Sequence, residues 1–330
     1  MGLLKFRLLP VSSALAVAIV LGISATAPAQ EVKRSIEPVT DDVYRFQNNF
    51  HNAMFVVTDD GIVVTDPINA DAVAWLKGEL ASRFNKPVTH MILSHSHGDH
   101  ASGGQGWGDI AVIAHENAKK HVEAGDVDTA MPTETFADTY SFSTGGKDFE
   151  LTYLGIGHGD DLIAVFVRPD NVAFVVDAIS PGRLPFRDFP GADIDGNIEQ
   201  IKAVEGLDFE TILPGHSRNG NKADVTEGRI YVEQLRDRVK AALAEGKSEE
   251  EIIASDVMSE YSDWLAYDQY RDLNIQGMVR WLKKSGQAQQ SRSASSKGRR
   301  SRSFFGLPTG RGKRQRICSR AGDLSDYPCE

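Results

Sequence analysis

Ser94-His95-Ser96-His97-Gly98-Asp99-His100 is the stretch from which the rest of the chain can be read. It follows an apolar run, Val88-Thr89-His90-Met91-Ile92-Leu93, that reads as a buried strand. Ala101-Ser102-Gly103-Gly104 follows and reads as a turn into a helix. Three imidazoles and a carboxylate thus fall within six residues at a strand end, and these are donors that zinc and its first-row neighbours accept. His95 and His97, being alternate, can face one metal, while Asp99 and His100 turn away and can hold a second. This is a complete two-site pattern, which an ordinary polar loop with a stray histidine lacks.

Working outward, metal-type side chains recur at strand ends. Val43–Phe46 and Ala53–Thr58 read as paired strands, joined by a loop from Gln47 to Asn52 that holds Phe50 and His51. Asp59-Asp60-Gly61 is a tight hairpin signal, and the strand after it, Ile62–Thr65, ends at Asp66. Helical spacing over 70–84 puts Ala72, Trp75, Leu76 and Leu80 on one face. Ala111–Ala114 is a further strand, and a helix follows over 116–124. Residues 129–144 read as an irregular surface loop. The strand 150–154 leads to His158, a pair around Pro169-Asp170-Asn171 leads to Asp177, and the strand Thr211–Leu213 leads to His216. Helical spacing covers 197–204, and amphipathic helices follow over 225–244, 248–254 and 273–284. Strand ends along one edge of a sheet share a rim, so ligands distant in sequence can converge there. His90, His115 and His121 fall outside the pattern and read as structural or exposed.

Composition bounds the rest. The chain has 330 residues, of which 41% are hydrophobic, enough for a sizeable core. Lys5 and Arg7, the apolar stretch Val11–Ile23 and Ala27-Pro28-Ala29 read as a secretory signal peptide over 1–29, cleaved near Ala29. The expected address is therefore periplasmic or secreted, with no stable membrane span. Residues 30–284 carry a net charge of −19 against −10 for the whole chain, which argues against nucleic acid as partner. Residues 285–330 carry +7, are poor in apolar residues and read as a disordered basic tail. Both cysteines, Cys318 and Cys329, lie in that tail, so no thiolate serves the core as ligand or nucleophile.

The ordered set His95-x-His97-x-Asp99-His100, Gly157-His158, Asp177 and Pro214-Gly215-His216 resembles the metallo-β-lactamase superfamily over roughly residues 40–220. The resemblance implies an α/β fold: an αβ/βα four-layer sandwich of two mixed sheets with helices outside, here over residues 30–222. The helices of 223–284 would then be a C-terminal extension packing on the same domain. It also implies two divalent metal ions, zinc first, with manganese or iron also suited to N/O donors. His95, His97 and His158 would form one site, Asp99, His100 and His216 the other, with Asp177 bridging. Asp66 matches the family's orienting aspartate.

Three departures bear on the substrate. The segment His158-Gly159-Asp160-Asp161 is a residue shorter than the family's usual one, Val176 replaces the usual glycine, and Asp177 stands where the best-known zinc β-lactamases have cysteine. The aspartate bridge is more like that of glyoxalase-II-type thioesterases and lactonases, although the C-terminal helices show no glutathione-site pattern.

The expected chemistry is hydrolysis of a small ester, lactone, thioester or amide by a hydroxide bridging two metals about 3.5–4 Å apart, with Asp99 available to take a proton. Substrate contacts are expected from Phe50 and His51 and from Arg183, Phe186 and Arg187 in the Pro-rich segment 180–190. The alternatives are a β-lactamase in the narrow sense and a non-hydrolytic periplasmic metal-binding or redox-relay protein. The sequence leaves the substrate and the oligomeric state open.

Overall fold

The chain turns to sheet wherever apolar and β-branched residues run between turn signals. The computed structural model describes residues 32–287, so the expected signal peptide and nearly all of the basic tail lie outside the described residues. Strands β1 (Arg34–Pro38), β2 (Val43–Asn48) and β3 (His51–Val57) are antiparallel neighbours, and β3 pairs antiparallel with β4 (Ile62–Thr65) through the Asp59-Asp60-Gly61 turn. The expected loop 47–52 is shorter than the sequence suggested. Asn48 pairs with His51, which leaves Asn49-Phe50 as a two-residue turn with Asn49 left-handed at φ 56°.

Helix α1 (Ala70–Phe84) starts where Asn69 accepts the Ala72 N–H at 2.8 Å and stops at Asn85, which is left-handed. Then β5 (Val88–Ile92) returns parallel to β4. The histidine stretch does not precede its helix but runs into it: the short α2 (Gly98–Ala101) begins inside the motif, after His97. Gly103, at φ 84°, is required just beyond, because a Cβ there would lie 2.2 Å from the Ala70 nitrogen. Strand β6 (Ala111–His115) and helix α3 (Glu116–Ala124) follow, and β7 (Glu134–Phe136) closes a seven-stranded sheet ordered β1 to β7.

Both faces of this sheet are buried. Phe46, Phe55, Val64, Met91, Leu93, Val112 and Ala114 pack with Val73, Leu76 and Leu80 of α1 and Ala118 and Val122 of α3. Each large aliphatic side chain fully buried here contributes about 1.5–3 kcal/mol. The alternate positions Met54, Val56, Val63, Ile92 and Ile113 are equally buried on the other face, which therefore needs a second layer. A five-stranded sheet of the same unit is that layer: β8 (Thr139–Thr144), β9 (Lys147–Tyr153), β10 (Ile163–Arg168), β11 (Val172–Phe174) and, after helix α4 (Ile194–Glu205), β12 (Thr211–Leu213). Its order is β12-β11-β10-β9-β8, with only β11 and β12 parallel.

β7 and β8 correct the reading of 129–144 as irregular. Thr139–Thr144 alternates exposed and half-buried residues along an edge strand, so its polar face disguises it. The three histidines outside the motif do structural work, as expected. His90 stacks on Phe142 at 4.9 Å, His115 caps α3 and stacks on Tyr153 at 3.9 Å, and His121 pairs with Asp126 at 2.9 Å.

The described residues form two compact units. The sandwich unit holds both sheets with α1 to α3: residues up to Tyr153, then Asp161–Val176 and Asp208–Asn219. The helical unit takes Leu154–Asp160, Asp177–Leu207 and the residues from Gly220 on, with α4, α5 (Lys222–Ala244), α6 (Glu249–Ile253) and α7 (Tyr267–Lys284). Capping boxes at Asn221 and Ser248 set the starts of α5 and α6. No helix among the described residues is long and apolar enough to cross a membrane.

Candidate metal centre

In the sandwich unit Ser94, His95 and His100 of the motif are buried around one carboxylate. Asp66, 1% exposed at the end of β4, accepts the Ser94 N–H at 2.8 Å and the Ser94 hydroxyl at 2.7 Å. His100 Nδ1 donates to the same carboxylate at 3.0 Å. The Ser94 hydroxyl proton is thereby committed to Asp66, so Ser94 Oγ accepts from His95 Nδ1, 3.0 Å away. One aspartate thus sets two imidazoles, His100 directly and His95 through Ser94, with Nδ1 protonated and Nε2 carrying the lone pair.

His216 is set in the same way by a different acceptor. Its Nδ1 lies 3.1 Å from the Phe50 carbonyl at the tip of the β2–β3 turn. Asn52, 3% exposed, fixes the turn that carries His216: its N–H donates to Gly215 O at 2.7 Å and its amide to Pro214 O and Ser217 O at 3.1 and 2.9 Å. The two oriented rings then present His100 Nε2 and His216 Nε2 to each other at 3.0 Å. Two lone pairs aimed at one another repel unless a cation lies between them, so the donor set fits a metal ion. Asp99, on α2, brings its carboxylate to 3.3 Å from His216 Nε2 and 3.7 Å from His100 Nε2. His95 and His97 stand side by side, ring centroids 4.5 Å apart. His51, expected among the substrate contacts, points its Nε2 at Asp99 Oδ2 at 3.5 Å.

The loop of the motif has a further anchor. Asp161, 2% exposed, accepts the Ser96 N–H at 2.8 Å, and the Ile163 N–H donates to Ser94 O at 2.9 Å. These two bonds tie the loop to the entry of β10.

In the helical unit His158 and Asp177 come together, Nε2 to Oδ2, at 3.0 Å. Gln200, fully buried on α4, accepts the His158 N–H at 2.7 Å and donates to Gly155 O at 2.7 Å. Gly157 makes room for it, since a Cβ there would lie 2.4 Å from Gln200 Oε1. Asp177 itself is left-handed at φ 59°, an uncommon state that asparagine and aspartate tolerate best.

The Pro-rich segment 180–190 is held by its own aromatic residues and by α7. Buried Asn274 accepts the Tyr231 hydroxyl at 2.7 Å and donates to Pro185 O at 3.0 Å and to Arg187 O. Arg183 lies over the Tyr270 ring, Phe186 meets Tyr270 edge-on at 5.6 Å, and Arg187 lies over Phe186. Phe186 stays half-exposed, while Phe50, at 81%, is the most exposed large apolar residue among the described ones.

Ser94, Asn52, Asp161 and Gln200 were not among the expected site residues. Asn52 and Ser94 had a signal, a polar residue directly bordering an apolar run, and Asp161 sits in the segment already quoted for its shortness. Gln200 had none, being one polar residue in a helix.

Comparisons with known proteins agree with this arrangement. The family model described as metallo-beta-lactamase superfamily matches residues 47–216. The chain is 25% identical over 205 residues to the 2,4-dinitroanisole O-demethylase subunit alpha of Nocardioides sp. (strain JS1661), covering 60% of this chain and 62% of that protein. It is 28% identical over 151 residues to a metallo-beta-lactamase type 2 of Elizabethkingia meningoseptica, covering 43% and 60%. A linear primary-alkylsulfatase of Pseudomonas sp. is 32% identical over 104 residues, covering 31% of this chain and 15% of that protein. The chain therefore spans less than two thirds of the length of each of these relatives. Among solved structures, a metallo-beta-lactamase from Pontibacter korlensis matches with a TM-score of 0.55 at 17% identity, covering 61% of this chain and 99% of that one, a likeness of fold.

Proposed function

The chain belongs to the metallo-beta-lactamase superfamily, and from that premise we propose that it is a metal-dependent hydrolase of a small molecule with an ester, lactone, thioester or amide bond. The observation that carries the proposal is the meeting of His100 Nε2 and His216 Nε2 at 3.0 Å beside the Asp99 carboxylate, with each ring's other nitrogen already committed. Only N/O donors take part, which suits zinc first and then manganese or iron. We assign His95, His97 and His158 to one ion, Asp99, His100 and His216 to a second, and Asp177 to both.

Two bound divalent ions would supply water activation at neutral pH and polarisation of the scissile bond. The chain's own residues do the remaining work. Asp66 and Ser94 hold His95 and His100 in one tautomer. Asn52 and the Phe50 carbonyl hold His216. Asp99, its side chain 47% exposed, can accept a proton as the leaving group departs. No serine or cysteine nucleophile is required. Phe50, Arg183, Phe186 and Arg187 offer apolar and cationic contacts for a small, partly apolar anion. The signal-type leader 1–29 supports a periplasmic or secreted address.

The relatives widen the test. One is named for the O-demethylation of 2,4-dinitroanisole, another for sulfate esters of linear primary alcohols, so an aryl methyl ether and an alkyl sulfate belong beside esters, lactones, thioesters and a β-lactam in a substrate panel. We expect turnover of at least one member, its loss on dialysis against a chelator and its return with zinc, with little turnover of the β-lactam because Asp177 stands in place of cysteine. Full activity retained by His97→Ala, or no turnover of any member by metal-loaded protein, would refute the hydrolase.

A further inference from the structure

We propose that His51 is a further protein ligand of the ion held by Asp99, His100 and His216, the fourth that the sandwich unit supplies, so that this unit by itself offers an N3O set in addition to the Asp177 assigned above. The inference rests on the metal-dependent reading above and goes beyond the seven ligands assigned there. With bonds of about 2.0–2.1 Å, donor atoms of one ion stand about 2.9 Å apart at right angles and about 3.4 Å apart in a tetrahedron. The separations are 3.5 Å for His51 Nε2 to Asp99 Oδ2, 3.3 Å for Asp99 to His216, 3.7 Å for Asp99 to His100 and 3.0 Å for His100 to His216. The donor atoms of His51, Asp99 and His216 all lie within 4.8 Å of one another.

Local structure holds His51 in this place. It is the first residue of β3, paired with Asn48 across the two-residue turn, and its neighbour Asn52 is bonded to the segment that carries His216. The hairpin therefore serves the centre twice: the Phe50 carbonyl orients His216, and the next side chain offers a donor of its own. The His51 ring stands edge-on to that of His216, centroids 4.9 Å apart at 71°, which leaves their nitrogens converging on Asp99 without stacking.

The experiment is a competition titration of metal-free full-length protein with zinc against a chromophoric chelator, repeated with cobalt(II) to read the visible absorption of the ion. His51→Gln and His51→Ala should weaken one metal equivalent by at least about 10- to 100-fold, the loss that outer-shell partners alone produce, and leave the other unchanged. The cobalt band of the affected equivalent should change in position and intensity as one nitrogen donor is lost, while that of the other equivalent stays as it was. Phe50→Ala keeps the backbone carbonyl and should change neither equivalent. Unaltered affinities in both His51 variants, or equal weakening of both equivalents, overturns the assignment. Failure of the wild-type protein to bind metal would instead overturn the reading on which it rests.

Discussion

Asp66 concentrates the logic of the centre in one buried carboxylate with three donors. Asparagine at this position keeps the size but turns one acceptor into a donor. If the amide faces His100, the imidazole must accept, and its proton moves to the nitrogen that should face the metal. Asp66→Asn is therefore expected to weaken metal binding by about 10- to 100-fold. The mismatch left among buried polar groups should also cost the metal-free protein about 1–3 kcal/mol in urea unfolding. An Asp66→Asn protein that binds zinc as wild type would remove its orienting role. The histidines and aspartates proposed as ligands stood out in the sequence, because imidazoles and carboxylates at strand ends follow a spacing. Ser94, Asn52, Asp161 and Gln200 were not. They act by hydrogen bonds across 28 to 165 residues of chain, and no linear pattern records such bonds.

At the scale of elements, legibility followed burial. Helices α1 and α3 came out at the expected limits because each buries one face and ends on a recognisable cap, Asn85 and Gly125. β8 was missed because its outer face is water: Ser141 and Ser143 alternate with Tyr140 and Phe142, and the polar half reads as loop. That edge nonetheless does structural work, since Phe142 covers His90 of β5. Burial lowers the pKa of His90 from its ordinary 6.5, with the Glu134 charge opposing. The folded state therefore favours the neutral ring, and the unfolded chain binds more protons in the window just below 6.5. The stability this contributes is present above pH 6.5 and is lost as pH falls through the lowered value. His90→Phe keeps the stacking partner and removes the titration. Its melting temperature should fall less than that of wild type between pH 7.5 and pH 5, and equal slopes would show that His90 carries no part of the acid limb.

Across the whole molecule the division into a sandwich unit and a helical unit is interleaved along the chain, with Leu154–Asp160 and Asp177–Leu207 belonging to the helices. Composition leaves no linker at those joints, so this organisation could not be read in advance. The interleaving has a thermodynamic consequence. Within the sandwich unit the donors come from three separate stretches, at His51, at Asp99 and His100, and at His216. The unfolded chain cannot hold them together, so an ion that binds them stabilises the fold by mass action, about 2.7 kcal/mol at a free concentration 100-fold above Kd. For a chain of this size that corresponds to a rise of roughly 4–5 °C in melting temperature. The gain should also have a place. Zinc added to chelator-treated protein should slow backbone hydrogen exchange at residues 94–100 and 214–217, while α5, which supplies no ligand, stays as it was. A melting temperature indifferent to zinc would contradict the linkage. So would protection that spreads evenly over every helix and strand, because only a local centre tied to distant segments protects those segments first.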